Sequence, residues 1–239
     1  MEKQFKTLKE HKSAGSKAEF DKVLMKMMPR LEKYITHRIK VYEAKGWLPK
    51  NFYSPADVLA DVYVNAYKEF ERIKNPKDLK VRLFSWADQI IGDYAAKENK
   101  IPKSKKLPVD KLVKEELKFM YEDLTVDADG ELLLVHDLKD EDIEYQQDDF
   151  KPKVYVFDFD SQNAFAQSLG LTADDFRDEK LRSIFGSIYS QLPETVRRVL
   201  DLNALGGLSY GEIAEIVGIT PEEVEKIIVA IQDKVKSNR

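Results

Sequence analysis

Phe20, Leu24, Met27, Leu31, Ile35, Ile39 and Tyr42 return every three or four positions among polar residues, the repeat of one helix face. They predict a first long helix, with Pro29 as its bend. After the Gly46-Trp47-Leu48-Pro49 break, Ser54 offers an N-cap, Pro55 suits the first helical position and Asp57 suits the positive helix end. The second helix starts there, with Val58, Leu59, Val62, Tyr63, Ala66, Tyr67 and Phe70 inward, and ends near Asn75-Pro76. A third runs roughly from Leu79 to Asn99, turning Leu83, Trp86, Ala87, Ile90, Ile91 and Tyr94 inward. The basic segment Lys100, Lys103, Lys105, Lys106 follows it.

Between about 101 and 175 the helical repeat fails, although 111 to 121 has room for a short helix. Residues 124 to 135 set a turn-forming Asp129-Gly130 between apolar flanks, the pattern of a short β-hairpin. Asp127, Asp129 and Gly130 imitate the start of a calcium loop, but Leu138 stands where that loop needs its bidentate glutamate, so a plain turn is expected. Val154, Val156 and Asp158 alternate with Tyr155, Phe157 and Phe159, which suits an extended segment.

The C-terminal pattern is sharper. Phe176, Leu181, Ile184, Phe185, Ile188 and Leu192 mark one helix, and Pro193 opens another through Val196, Val199, Leu200 and Leu202 that closes at Gly206-Gly207. Ser209 with Glu212 forms a capping box for a short helix ending at Gly218. Thr220, Pro221 and Glu223 repeat the start signal for a last helix to about Lys236. Two capped helices separated by Gly218-Ile219-Thr220 form the pattern of a helix-turn-helix.

Charge changes this picture more than composition does. The net charge of −4 conceals three segments: residues 1 to 120 carry 27 Lys/Arg against 17 Asp/Glu, residues 121 to 160 carry 3 against 14, and residues 161 to 239 carry 9 against 12. A basic part, an acidic middle and a near-neutral end predict three functional segments: a helical domain over 1–100, an acidic linker over 101–174 and a helix-turn-helix domain over 175–239. The fold class expected is all-α, two small helical domains joined by that linker. With no cysteine, disulfides, thiol nucleophiles and Cys-type zinc sites are excluded, and three scattered histidines make a poor metal cluster. No Ser-His pair or phosphate-cradling glycine loop stands out, so neither an enzyme nor a cofactor is expected. No run of about 18 apolar residues occurs and the N-terminal residues lack a signal-peptide core, so a cytoplasmic protein is expected.

Three stretches resemble the sigma factors of bacterial RNA polymerase, in particular the two-domain extracytoplasmic-function (ECF) type. The segment from Ser54 to Tyr67 is similar to the helix that binds core polymerase, and Leu83-Phe-Ser-Trp86 with Ile90 resembles the helix that melts and reads the minus-ten element. Gln191 to Leu200 and Gly207 to Thr220 resemble the minus-35 domain. The resemblance implies that Asp57, Asp61 and Asn65 contact RNA polymerase, through its beta-prime and beta subunits, and that the protein helps open promoter DNA. Opening strands needs cations along phosphates and aromatic or amide groups against unstacked bases. Lys77, Lys80, Arg82, Trp86, Gln89, Asp93, Lys97 and Lys100 are the candidate DNA-binding residues. Trp86 also reads as a core residue, and Asp57 as a helix-start stabiliser. The acidic middle reads either as a polyanion mimic for a nucleic-acid channel or as a solvated tether.

The last helix departs from a promoter reader. Val224, Ile228, Ile231 and Val235 are expected inward, leaving Glu223, Glu225, Lys226, Ile227, Val229, Ala230 and Gln232 outward. Carboxylates repel phosphate, and apolar groups read little beyond a thymine methyl. The expectation is weak duplex binding and a protein partner, such as an activator, a DNA-targeting factor or an anti-sigma factor, on Glu225, Ile227, Val229 and Ala230. Asp93 stands where the family usually has Asn, so minus-ten reading is expected to be altered. The alternative is a sigma mimic or adaptor that binds an anti-sigma factor or scaffold without touching DNA.

Overall fold

The computed structural model describes residues 2–98, 124–126, 132–134, 159–171 and 179–238. The described residues are dominated by helix, with two three-residue strands, so the all-α class holds. The expected helix at 111–121, the Asp127–Gly130 turn and residues 154–158 of the expected extended segment lie outside the described residues, whereas Phe159, expected extended, opens a helix, Phe159–Ser168, within the stretch where the helical repeat had failed. Packing divides the chain into two units, Met1–Lys106 with Leu205–Gly218, and Leu107–Ala204 with Ile219–Arg239.

In the first unit, α1 (Glu2–Ser13), α2 (Lys17–Met27), α3 (Pro29–Ala44), α4 (Pro55–Glu69) and α5 (Pro76–Lys97) form a bundle, with a 3₁₀ turn at Phe70–Arg72. Pro29 does not bend a single long helix: it occupies the first turn of α3, and Met28 separates two helices. Proline lacks the N–H that a helix interior needs but loses nothing at a helix start. Ser54 and Asn75 cap α4 and α5, accepting from the amides of Ala56 at 3.2 Å and Asp78 at 2.9 Å. The core is aromatic: Phe20 meets Tyr67 and Phe70 edge-on at 5.2 and 5.1 Å, and Tyr34 meets Phe84 at 5.2 Å. A buried polar set joins α3 to α5, where the Tyr34 hydroxyl donates to Asp88 at 2.5 Å and Arg38 lies 3.7 Å from the same carboxylate. α9 (Tyr210–Val217) belongs to this unit and packs on α5.

The second unit contains β1 (Leu124–Val126) antiparallel to β2 (Leu132–Leu134), with Leu124 opposite Leu134. It also holds α6 (Phe159–Ser168), α7 (Glu179–Gln191), α8 (Glu194–Ala204) and α10 (Pro221–Ser237). Phe165 of α6 lies 5.6 Å from both Phe185 and Tyr189 of α7, fixing the centre of this core. Arg197, only 1% exposed, donates to the carbonyls of Tyr189, Ser190 and Leu192, the acceptors that the end of α7 leaves over. The buried Tyr189 hydroxyl donates to Asp201 at 2.7 Å, tying α7 to α8.

Candidate polymerase and nucleic-acid interfaces

At 100° per residue, Arg82, Trp86, Gln89, Asp93 and Lys97 follow one row along α5. That row lies opposite the buried Phe84, Ala87, Ile91 and Ala95, so the core that positions α5 also turns these five side chains to its outer side. Gln89, Asp93 and Lys97 are exposed, and Arg82 and Trp86 are half-buried. Trp86 thus has one part in packing and another at the surface. The Arg82 guanidinium donates to Asp78 at 2.8 Å. Burial pushes the Asp78 carboxyl up, but the Lys74 amide and Arg82 outweigh it and hold the group below its ordinary value. Lys97 sits 5.6 Å from the Tyr94 ring.

The structure does not bring Lys77 and Lys80 onto that face. Lys77 is exposed on another side of α5. Lys80 shares a row with the buried Phe84, Ala87 and Ile91, and its ammonium donates to Glu212 at 3.0 Å and to the Gly207 carbonyl at 3.1 Å. The expected placement of Lys80 beside DNA is therefore corrected: its spacing to the apolar stripe, four residues before Phe84, already sets it inward. Lys100 lies outside the described residues.

On α4, Asp57, Asp61 and Asn65 occupy successive turns of one row, the first two exposed and Asn65 half-buried. Ser54 supplies the side-chain cap of α4, so Asp57 adds only its charge to the helix start. Asp61 accepts from the Tyr94 hydroxyl at 3.2 Å. Burial first, then the charge of Asp61, holds the Tyr94 phenol above its ordinary value, so it remains a donor. Tyr94 stacks on Tyr53 at 4.5 Å, and Tyr53 meets the 71% exposed Phe52 at 5.0 Å. This aromatic group beside the acidic row went unnoticed in the sequence, where adjacent Phe52-Tyr53 before the Ser54-Pro55 start was its signal.

The helix-turn-helix signals take the expected local form. Both capping boxes are made, Ser209 with Glu212 and Thr220 with Glu223. Gly218 ends α9 in the left-handed region at φ 82°, with its amide bonded to the Ala214 carbonyl at 2.8 Å. The exposed strip expected on α10 is corrected in two places: Ile227 and Ala230 are buried. α10 packs against both α7 and α8, so its apolar stripe is wider than the single row of Val224, Ile228, Ile231 and Val235. Glu225 and Val229 remain outward, Val229 at 43% exposure, and Glu222, Lys226, Asp233 and Lys236 complete the exposed face. Gln232 turns back to donate to the Ser168 carbonyl of α6 at 3.4 Å.

Among the described residues no group of His, Cys, Asp and Glu is arranged to hold a metal ion, and no helix is long and apolar enough to cross a membrane. Neither the curated proteins nor the solved structures provide a match to the chain. The family model described as "Sigma-70, region 4" does match, over residues 184–229, the stretch that holds most of α7, all of α8 and α9 and the first half of α10. That family consists of non-enzymatic transcription factors that bind RNA polymerase core and promoter DNA. Residues 184–229 are thus similar to region 4 of the sigma-70 family, a likeness that supports a sigma factor or a related transcription regulator.

Proposed function

We propose that the protein is an ECF-type sigma factor whose N-terminal unit handles polymerase and melted DNA, while α10 depends on a protein partner for part of its targeting. The observation that carries the sigma reading is the coincidence of the region 4 match with two capping-box helices three residues apart. Asp57, Asp61 and Asn65 present an acidic row suited to basic residues of core polymerase, its beta-prime subunit above all. Arg82, Trp86, Gln89 and Lys97 combine cations, an aromatic ring and an amide, the set that unstacked bases and their phosphates require; Asp93 among them shifts the base preference.

The duplex-facing role of α10 is weak in this reading. A recognition helix contacts base edges with its N-terminal residues, and here that end presents Glu222 and Glu225. With Ile227 and Ala230 buried, the partner surface reduces to Glu225 and Val229 with their exposed neighbours, which favours a basic protein over DNA.

Transcription by bacterial core polymerase, run on a pre-melted bubble template and on the intact duplex, tests this. Initiation on the bubble alone is expected. Robust selective initiation on duplex would remove the need for a partner, and failure to bind core polymerase would favour the sigma mimic.

A further inference from the structure

At the break between α2 and α3 the chain reads Met27-Met28-Pro29-Arg30-Leu31, four apolar residues around one cation. Met27, Met28 and Leu31 are buried, yet they do not pack shut. With Phe84 of α5 they line a cavity of about 260 Å³ within the first unit. At ~30 Å³ per water this is room for roughly nine water-sized groups, far more than the voids that packing ordinarily leaves. A ligand of about ten heavy atoms fits such a space.

Two cations stand at the same cavity. Gly207 has φ +60°, and a Cβ there would stand where the Arg30 guanidinium lies. The missing side chain therefore lets that guanidinium rest against the cavity wall at its exposed mouth. Among the described residues Arg30 has neither a hydrogen bond nor an ion pair. Lys80 reaches the same wall from α5, donating to Glu212 at 3.0 Å and to the Gly207 carbonyl at 3.1 Å. An ammonium has three donors, so one is left over. Glu212 balances the charge of Lys80, and Arg30 leaves the site with a net positive charge.

These features select a ligand with two unlike ends. A bare inorganic anion would answer Arg30 but leave Met27, Met28, Leu31 and Phe84 against water, whereas a hydrocarbon would cover them and offer the guanidinium no acceptor. Methionine side chains, being unbranched, follow an aliphatic body of varied shape. We propose that this cavity is a binding site for a small amphiphilic anion, of which a medium-chain carboxylate is the simplest. The carboxylate pairs with Arg30 and takes the remaining Lys80 donor, and the chain lies on the two methionines, Leu31 and Phe84. The site is separate from the outer row of α5 and stands whether or not the protein is a sigma factor.

Octanoate matches the cavity in size and charge and is the probe; octanol keeps its chain without the charge, and acetate its charge without the chain. Titrated into the full-length protein with isotope-labelled methionine methyl groups, octanoate should bind saturably with a Kd on the order of 0.1 to 1 mM, as expected for so small a ligand. The Met27 and Met28 methyl signals should shift, while that of Met25, 57% exposed and outside the cavity, should not. Octanol and acetate should each bind at least about tenfold more weakly, and Arg30→Gln, a change at an exposed side chain, should weaken octanoate about fivefold or more without moving the unfolding midpoint. No saturable shift at Met27 and Met28 up to about 10 mM octanoate would overturn the site. Equal shifts at Met25 would reduce the effect to detergent-like adsorption and overturn it as well. Octanol binding as tightly as octanoate, or octanoate binding unchanged in Arg30→Gln, would remove the anionic end and with it the proposal.

Discussion

α5 and α10 are built alike and end in opposite surface chemistry. Each starts at a capped proline, Asn75 with Pro76 and Thr220 with Pro221, and each drives an apolar stripe into its own unit. Outside that stripe, α5 presents Arg82, Trp86, Gln89, Asp93 and Lys97, whereas α10 presents Glu222, Glu225, Lys226, Val229, Asp233 and Lys236. Folding constrains the inner rows of both and leaves the outer rows to function. The outer rows differ in the two features nucleic acid needs, an aromatic platform and cations placed ahead of carboxylates. Two helices of one architecture therefore offer different surface chemistry to whatever meets them.

The largest expected effect concerns the platform beneath α10. Replacing Arg197 with Leu removes the donor for the carbonyls of Tyr189, Ser190 and Leu192 at the end of α7, one of the two helices α10 rests on. The Tyr189 carbonyl keeps the Leu192 amide, and leaving the Ser190 and Leu192 carbonyls without Arg197 costs about 3 kcal/mol, to be read as a lower urea midpoint. A variant within about 0.5 kcal/mol of the parent would mean that α10 is supported by apolar packing alone. Next, Trp86→Ala should weaken binding of a single-stranded oligonucleotide by about 2 kcal/mol, the usual worth of one base–aromatic stack, with little change in the unfolding midpoint. The reverse outcome, a large fall in stability with unchanged binding, would assign Trp86 to the core and erase the contrast between the two outer faces.

Local signals made most of the helices legible. Ser209 with Glu212 and Thr220 with Glu223 announced their helix starts because a capping box is contained within four residues. α1 escaped notice because its inward face rests on Phe5 and Leu8, too few apolar positions to establish a period. The break at Pro29 was misread as a bend because periodicity continues in phase across Met28. Helical spacing set Trp86 inward with Leu83 and Ile90, but Trp86 is only half-buried and shares the outer row of Arg82 and Gln89; the same arithmetic would have removed Lys80 from that row. Ile227 and Ala230 lay beyond such arithmetic, since the width of a buried stripe depends on how many neighbours a helix has. Arg197 was hidden for a related reason: arginine reads as surface until the carbonyls that surround it are known.

A smaller effect would sharpen the contrast from the side of α10. Glu225→Lys changes an exposed carboxylate near the start of the helix into a cation, with no buried contact to lose. Duplex affinity should rise by about 1 kcal/mol, near fivefold, and the salt dependence of binding should steepen by about one unit, as expected for one added phosphate contact. An unchanged salt slope would show that α10 does not approach DNA even when its charge permits, which strengthens the case for a protein partner.

The smallest effect concerns the side of α4 that faces α2 and α3, away from its row of Asp57, Asp61 and Asn65. Burial, followed by the charges of Glu32 and Asp21, pushes the Tyr63 phenol up to about 12 from its ordinary 10. Its neutral form is thus favoured in the folded protein. The resulting stabilisation is complete below pH 10 and fades as the pH rises through about 12, where the folded phenol ionises. The ultraviolet signal of tyrosinate should therefore lose one late-titrating component in Tyr63→Phe, while binding of the single-stranded oligonucleotide at neutral pH stays the same. A loss of that binding would place Tyr63 in the interface, and the division between the inner side of α4 and the outer face of α5 would have to be redrawn.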